Sequence, residues 1–340
     1  MKKIVLIGAY PPPVGGVSIH IQRLIGLLSN HADFDVVDES SIRKERWPFN
    51  LRSFNLLKYL KIVKRADVVH VHSGLFIRRL FHVIVCRFLL RKFVVVTVHH
   101  DPAVERFSGV TKWLLSKCNH AILVNREGYD MMKTNSGCQY HMMPAFLPPI
   151  IDREPDLPET VKNWTAVKKG NGAVICVSNA WRLVLHDNED LYGLDLCMEA
   201  FRLLKLKGRN YKLVFVVASN PNQVELMNSY KKYIHDNGLE EDILIWESPL
   251  SFIRLILDSD IVLRTTNTDG DALSIREAIH FRKPVIASDV VKRPDGVRLF
   301  QNRNVESLVE NILNCPVEKA NGKKKETKDY ISQYKAIYGL

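Results

Sequence analysis

Residues 261–290 read IVLRTTNTDGDALSIREAIHFRKPVIASDV, in which a short apolar run is followed by a polar loop, a helical pattern and a second apolar run. The pattern predicts a strand over Ile261–Arg264, a helix from about Leu273 to His280 and a strand over Val285–Ala287. Two strands joined through a helix form a βαβ unit, in which the strands lie parallel in one sheet. This stretch therefore indicates an α/β fold.

The same alternation of strand and helix patterns runs along the whole chain of 340 residues. Five prolines and no periodicity between residues 144 and 158 indicate a linker. We therefore expect two α/β domains, residues 1–150 and 151–322, and a helical tail over residues 323–340. Further strands are predicted at Ile4–Ile7, Asp35–Val37, Val68–His70, Val94–Val98, Ala121–Val124, Ala173–Val177, Leu213–Val217 and Ile243–Trp246, and helices at Leu194–Leu206, Gln223–Asp236 and Glu326–Tyr338.

Composition excludes several classes of protein. With 46% hydrophobic and 25% charged residues, the chain matches a globular protein rather than a disordered or collagenous one. The most apolar stretch, residues 80–98, is interrupted by three cations, so no membrane span is expected, and the start of the chain reads as a strand rather than a signal peptide. Six scattered cysteines show no metal-ligand spacing and are expected to be reduced and buried.

The formal net charge of +11 belongs to the first half of the chain. Residues 1–150 hold 21 Lys+Arg and 10 Asp+Glu, whereas residues 151–340 hold 27 of each. Residues 51–100 carry ten cations and a single acid, Asp67. Such asymmetry indicates a division of labour, with an anionic partner on the first half.

Two helical segments carry this excess. In residues 50–65, Lys58, Lys61 and Arg65 recur at helical spacing beside apolar residues. In residues 75–91, an apolar helical face is accompanied by four arginines that include Arg78 and Arg79. Either both helices dock on the core with solvated basic flanks, or they form a basic and apolar surface that attracts anionic lipid.

A loop near the start of the chain contains two adjacent glycines. Gly15 and Gly16 precede a helix and permit close approach of a ligand to backbone N–H groups, although a structural turn explains them equally well. His20 lies one turn into that helix, either near its cap or in a ligand cleft.

A histidine group follows two predicted strands of the same half. It consists of His70, His72, His99, His100 and Asp101. Four histidines and one carboxylate suit a metal. Alternatively, one imidazole contacts substrate hydroxyls and the other histidines are structural. We expect no catalytic metal, because no acid-rich cluster accompanies the histidines.

The richest loop precedes the helix of the opening stretch. Gly270 permits a tight approach to a helix start whose N–H groups, at Ala272, Leu273 and Ser274, suit a diphosphate. Asp271 at the same place is alternatively an N-cap only. Asp269 and Glu277 stand eight residues apart, one before the helix and one nearly two turns inside it, so both can face one elongated ligand.

At this loop the chain resembles the family-four glycosyltransferases of the GT-B fold, whose donor loop has an acid, seven residues and then Glu. The resemblance continues in Gly15-Gly16-Val17 with His20, in DVVHVHS at 67–73, in TVHHD at 97–101 and in the tail QYKAIYGL. It implies two Rossmann-like domains facing a cleft, with a final helix that crosses back onto the first. It also implies a retaining transferase that takes a nucleotide-diphosphate sugar and needs no cofactor or metal.

The resemblance also assigns roles to single residues. Glu277 would hold the donor ribose, Asp269 would touch the transferred sugar, and His99 would lie beside that sugar. The loop of Gly15 and Gly16 would border both phosphate and acceptor. The acceptor would be a lipid-linked saccharide of capsule, lipopolysaccharide or exopolysaccharide synthesis, bound by a basic first domain on the inner, cytoplasmic face of an anionic membrane.

Two departures from the family concern the donor loop. Asp269 replaces the usual Glu and is one methylene shorter. Asn179 and Tyr192 stand near the positions of the Arg and Lys that usually face the diphosphate, so Arg182 or Arg264 is expected to supply the positive charge.

Three other functions compete with this interpretation. A sugar-nucleotide epimerase of the same fold needs no basic acceptor surface, and a non-catalytic GT-B scaffold would leave the acids idle. A nucleic-acid binder is disfavoured, because the basic segments contain mostly aliphatic residues and phenylalanines in positions expected to face the core.

Overall fold

The computed structural model describes residues 1–12, 15–40, 55–99, 107–219, 222–270, 272–316 and 329–340. The chain divides into two compact units, one of Met1–Ile150 with Glu326–Leu340 and one of Ile151–Lys325. No helix of the described segments is long and apolar enough to cross a membrane. Asp271, His100, Asp101, the start of the first basic segment (residues 50–54) and the first residues of the expected tail helix (326–328) lie outside the described residues.

The first unit contains a parallel sheet of six strands in the order β2-β1-β3-β4-β5-β6. Its strands are short and mostly buried on both faces, which is why they appear in the sequence as runs of valine and isoleucine. The strands are β1 (Lys3–Gly8), β2 (Asp33–Asp38), β3 (Val68–Val71), β4 (Phe93–Val98), β5 (His120–Leu123) and β6 (Gln139–Met142). The helices are α1 (Gly16–Leu28), α2 (Leu56–Lys64), α3 (Phe76–Val83), which continues as a π-helical turn over Ile84–Leu89, α4 (Ser108–Ser116) and α5 (Arg126–Met132).

The second unit repeats this architecture with a parallel sheet in the order β11-β10-β7-β12-β13-β14. Its strands are β7 (Val174–Ala180), β10 (Tyr211–Val217), β11 (Ile243–Trp246), β12 (Ile261–Arg264), β13 (Val285–Ser288) and β14 (Arg298–Phe300), with a two-stranded ribbon of β8 (Leu185–His186) and β9 (Glu189–Asp190). Its helices are α6 (Glu159–Gly170), α7 (Leu194–Leu206), α8 (Val224–Asp236), α9 (Phe252–Leu257), α10 (Leu273–His280) and α11 (Val305–Leu313). A 3₁₀ turn over Ile151–Arg153 begins this unit.

The last helix, α12 (Tyr330–Tyr338), belongs to the first unit although it follows the second in sequence. Tyr334, Ile337 and Tyr338 are buried in the cluster that covers one face of the first sheet. The Tyr338 hydroxyl lies 2.6 Å from His70 Nδ1 on β3, and Lys2 Nζ donates to the Tyr338 carbonyl at 3.1 Å. The chain therefore returns to the first unit, as the family resemblance implied.

All six cysteines are buried free thiols, as predicted. Burial raises the pKa of Cys86 to about 11 and that of Cys197 to about 12, so these thiols stay protonated and unreactive at neutral pH.

Candidate functional site

The loop between β12 and α10, which the family resemblance predicts to bind the donor and which we call the donor loop, lies where the order of the second sheet reverses. The strand β7 has β10 on one side and β12 on the other, and ligands of doubly wound sheets bind outside the strand ends at such a point. Val262 on β12 pairs with Val177 on β7. Two residues further along their strands, Arg264 and Asn179 therefore lie at the same edge of the sheet, where the strands have their carboxyl ends. The Asn179 Oδ1 atom is buried and has no hydrogen-bond partner within the described part of the chain.

Asp269 lies between two arginines, a group that we call the Asp269 clamp (Asp269, Arg264 and Arg293). Arg264 donates from Nε to Oδ2 at 3.0 Å and from Nη2 to Oδ1 at 2.9 Å, while Arg293 donates from Nη1 to Oδ2 at 2.7 Å. Burial raises the pKa of Asp269, but hydrogen bonds and charge from the two arginines outweigh burial and lower this pKa to about 2. The carboxylate is therefore ionised at any physiological pH.

Arg293 is a site residue that the sequence analysis did not identify. Its side chain is only 2% exposed and also donates from Nε to the Ser288 carbonyl at 3.2 Å. It follows β13, the neighbour of β12, so its loop starts at the same sheet edge as the donor loop. The sequence feature that could have identified Arg293 is its position shortly after β13, the parallel strand next to β12.

The helix α10 begins directly after the clamp. Ala272 is its N-cap and offers no side-chain acceptor, so N–H groups of the first turn face outward from the helix start. The Gly270 N–H donates to Asp269 Oδ1 at 3.0 Å, which ties the loop to the clamp. Ser274 and Glu277, one turn apart, are both buried, and Glu277 is 5% exposed.

The positions where the family usually has Arg and Lys serve other purposes here. Gly193 has a φ of 70°, and a Cβ there would lie 2.3 Å from the Thr265 carbonyl oxygen, so the donor loop packs directly on this glycine. The Arg264 guanidinium stands 5.5 Å from the centre of the Tyr192 ring. Arg182, in contrast, is exposed beyond the end of β7.

In the first unit, three of the predicted histidines lie close together: His20 near the start of α1, His72 directly after β3 and His99 directly after β4. His72 Nδ1 is 3.0 Å from His99 Nε2, and the His20 ring centre is 4.8 Å from that of His99. Burial lowers the pKa of His20 to about 4 and that of His72 well below its ordinary value. At neutral pH both rings are therefore uncharged.

The paired glycines stand at the beginning of α1. Gly15 is the N-cap in an extended conformation, and its N–H donates to Ser18 Oγ at 2.9 Å. A Cβ on Gly16 would meet no atom within 4 Å. Packing among the described residues therefore does not require a glycine at position 16.

The basic segments differ from expectation in one residue. Lys58, Lys61, Arg65 and Arg78 are exposed. Arg79, expected on the same basic surface, is fully buried, and its Nη2 donates to Thr111 Oγ1 at 3.3 Å. The expectation for Arg79 is corrected, because this side chain is inside the unit.

The apolar face of α3 and the following π-helical turn points to solvent. Ile77, Phe81, Ile84 and Phe88 are 75%, 37%, 42% and 46% exposed, and we call these four residues the apolar stripe. The opposite face buries polar groups: His82 Nδ1 lies 2.9 Å from the Tyr59 hydroxyl and His82 Nε2 lies 3.3 Å from Glu39 Oε1. The helix is thus inverted relative to an ordinary surface helix, with a polar network inside and apolar residues outside.

No family model and no curated protein sequence matches this chain. Several solved structures, however, have a similar fold. The chain is similar to Anabaena Alr3699/HepE in complex with UDP and glucose (TM-score 0.58, 13% identity, 92% of this chain and 89% of that one). It is also similar to sucrose-phosphate synthase from Thermosynechococcus elongatus (0.56, 13%, 92% and 89%) and to trehalose-6-phosphate synthase OtsA (0.56, 12%, 93% and 92%). At these identities the likeness shows the fold, and it confirms the predicted GT-B architecture of two parallel-sheet domains.

Proposed function

We propose that this protein is a retaining glycosyltransferase that moves a sugar from a nucleotide-diphosphate sugar to an acceptor hydroxyl. The observation that carries the proposal is the positive edge of the second sheet, where two arginines share one carboxylate beside the N-terminus of α10. A diphosphate suits this edge, because fixed N–H groups and a net positive charge both favour it. A solved structure of similar fold was determined with UDP and glucose.

The reaction breaks the bond between the anomeric carbon and the diphosphate oxygen and forms a bond from that carbon to the acceptor oxygen. The acceptor proton passes to the departing phosphate oxygen, so attack occurs on the face that the leaving group vacates. Negative charge develops on the leaving group, and on this proposal Arg264 and the first N–H groups of α10 stabilise it. Arg293, whose nitrogens already donate to Asp269, Ser288 and Thr266, contributes its charge. The proposed transfer uses no metal, and Asp269 is not counted on as a metal ligand because both of its oxygens already accept from arginines.

Other roles follow the family resemblance. Glu277 would accept from the ribose hydroxyls of the donor, His99 would lie beside the transferred sugar, and the loop of Gly15 and Gly16 would border the phosphate and the acceptor. For Asp269, which the resemblance places against the sugar, the clamp adds a positioning role: it holds Arg264 and Arg293 at the sheet edge.

For the acceptor we propose a lipid-linked saccharide, reached by peripheral binding of the first unit to the inner face of an anionic membrane. Interfacial helices place apolar side chains in the headgroup layer and cations around them. The apolar stripe supplies the apolar side chains. Trp113 stacks on Phe88 with ring centres 6.1 Å apart and extends the stripe, and tryptophan is typical of membrane interfaces. Lys58 and Lys61 on the neighbouring α2 supply cations, each contributing about 1 kcal/mol near an anionic surface.

Donor binding is tested by thermal denaturation of the full chain with a panel of sugar nucleotides that includes UDP-glucose. A ligand at 100 times its dissociation constant stabilises the folded state by about 2.7 kcal/mol, a readily measured rise in midpoint. Glu277→Gln keeps the shape of the side chain and is expected to remove most of the transfer activity, whereas Glu310→Gln, an exposed acid on α11, is the matched control. Absence of stabilisation by every sugar nucleotide would refute the proposal, and an altered sugar nucleotide formed without acceptor would favour the epimerase.

Membrane binding is tested by sedimentation with vesicles of mixed phosphatidylcholine and phosphatidylglycerol. Replacing Lys58, Lys61 and Arg65 by Gln removes about 3 kcal/mol and should weaken binding to anionic vesicles about 100-fold, while sparing donor binding. Replacing Ile77 and Ile84 by Ser should weaken binding at every lipid composition. The control replaces the exposed Lys207, Arg209 and Lys232 of the second unit by Gln, and equal binding by all variants would contradict the proposal.

A further inference from the structure

We propose that His20, His72 and His99 form a binding site for a divalent transition metal ion such as Zn²⁺. One ring nitrogen from each histidine lies within 4.8 Å of those of the other two. The three residues come from separate segments, the first turns of α1 and the ends of β3 and β4, and all belong to the first unit. The order β1-β3-β4 in the sheet makes the three segments neighbours.

A buried nitrogen without a partner supports the assignment independently. His72 is fully buried, and its Nε2 has no hydrogen-bond partner among the described residues. Leaving such a polar atom unsatisfied in the interior costs about 1–3 kcal/mol. A metal ion bound within the histidine group can remove this cost, because it accepts the lone pair of a neutral imidazole.

His20 already has the orientation of a metal ligand. Its Nδ1 lies 2.7 Å from the Ala145 carbonyl oxygen, and because a carbonyl only accepts, Nδ1 carries the proton and Nε2 carries the lone pair. Metal-binding histidines usually donate their second N–H to a carbonyl or carboxylate in this way. The Tyr334 hydroxyl donates to His20 Nε2 at 3.2 Å, a long contact that a metal would replace.

The donor set selects the class of metal. Tetrahedral Zn²⁺ with bonds of about 2.0–2.1 Å to imidazole places ligand nitrogens roughly 3.3 Å apart. The nitrogens of the three rings lie within 4.8 Å of one another, so metal binding requires them to move closer by up to about 1.5 Å. When His72 Nδ1–H donates to His99 Nε2 across 3.0 Å, the lone pair of His72 is on Nε2, the nitrogen that has no partner among the described residues. Three imidazoles favour Zn²⁺, Co²⁺, Ni²⁺ and Cu²⁺ over Mg²⁺ and Ca²⁺, which prefer oxygen ligands. His99 is only partly buried, which gives the ion a path of entry.

Occupancy would matter for activity in a way that rests on the proposed function. If His99 lies beside the transferred sugar, a bound metal withdraws this imidazole from the donor. The metal would then inhibit transfer rather than support it, and chelation would restore the rate.

The test measures metal binding to the full chain without any sugar nucleotide, so its outcome is independent of the transferase proposal. Titration with Co²⁺ is expected to give one equivalent bound and the visible d–d absorption of a tetrahedral site, which Zn²⁺ abolishes. His99→Gln should weaken Co²⁺ binding at least as much as the 10–100-fold lost when a supporting group of a metal site is removed. Unchanged circular dichroism would show that this variant is folded.

Two further variants make the test specific. His141→Gln alters a different histidine pair, whose His120 Nδ1 and His141 Nε2 lie 2.7 Å apart, and should leave the Co²⁺ spectrum unchanged. Tyr334→Phe removes the competing hydroxyl and should leave Co²⁺ affinity equal or higher. No visible band, a band lost with His141→Gln, or binding lost with Tyr334→Phe would overturn the proposed site.

Discussion

Asp269→Asn tests the clamp directly, because it keeps the shape of the side chain and removes its charge. In the wild-type chain one carboxylate neutralises Arg264 and Arg293, and the Arg293 side chain is only 2% exposed. Removing one partner of a buried ion pair leaves the other charge unpaired and costs about 3–5 kcal/mol. The Asn carbonyl can still accept one hydrogen bond, so we expect about 3 kcal/mol.

The pKa of Asp269 gives a second measure of the same interaction. Burial raises this pKa and the two arginines lower it by more, from the ordinary 3.8 to about 2. A carboxyl group whose pKa is lower in the folded state stabilises the fold above pH 4, and this stabilisation is lost as the pH falls through about 2. The difference corresponds to about 2 kcal/mol at neutral pH, the same order as the cost of leaving an arginine charge unpaired.

The assay is thermal denaturation of the full chain. A loss of about 3 kcal/mol lowers the midpoint of a unit of this size by about 6–12 °C. The gap between variant and wild type should narrow as the pH falls from 4 towards 2. Pyrophosphate should rescue the variant in part by neutralising the arginine charge that Asn leaves unpaired. Asp295→Asn, an exposed acid two residues from Arg293, is the control. Equal midpoints for Asp269→Asn and Asp295→Asn would refute the clamp.

Gly193→Ala adds a Cβ 2.3 Å from the Thr265 carbonyl oxygen, so it should displace the donor loop and weaken sugar-nucleotide binding, measured by calorimetry. Gly208→Ala, with a similar φ of 66° and no atom within 4 Å, should cost only the backbone strain of roughly 1–2 kcal/mol and leave donor binding unchanged; equal effects would contradict the packing argument. Burial lowers the pKa of His20 from 6.5 to about 4, so the contribution of this histidine to stability is complete above pH 6.5 and declines as the pH falls. At pH 5 the loss from His20 alone is about 2 kcal/mol, and urea unfolding at about pH 5 and pH 7.5 should show it; His20→Gln should flatten the difference.

The sequence predicted the central strands because parallel strands buried on both faces are continuous apolar runs. Two of the edge strands, β6 and β14, lack this signal. The residues of β6, Gln139–Met142, are polar and half-exposed, and β14 has only three residues, so neither has a pattern that distinguishes it from a loop.

Periodicity also shows which residues share a helix face without showing which face is inside. In α3 the apolar residues suggested a core contact, yet His82 and Arg79 occupy the interior. Their partners, among them Glu39 and Tyr59, come from other segments of the chain. A buried polar network assembled from three segments overrides the local hydrophobic pattern, and only the tertiary arrangement reveals it.

If the proposed donor binding is correct, the clamp accounts for how a neutral half of the chain would hold an anion. Two arginines and one carboxylate leave a local charge of +1, at the sheet edge where the helix dipole of α10 adds positive potential. Asp269 uses Nε and Nη2 of Arg264 and Nη1 of Arg293, which fixes both planar guanidinium groups in one orientation before any ligand arrives. In the proposed donor complex, a diphosphate would meet an Arg264 side chain that is already held in place and would lose little free energy in ordering it. Lysines, as flexible point charges, would not give this preorganisation, so Arg293→Lys should weaken donor binding even though the net charge is unchanged.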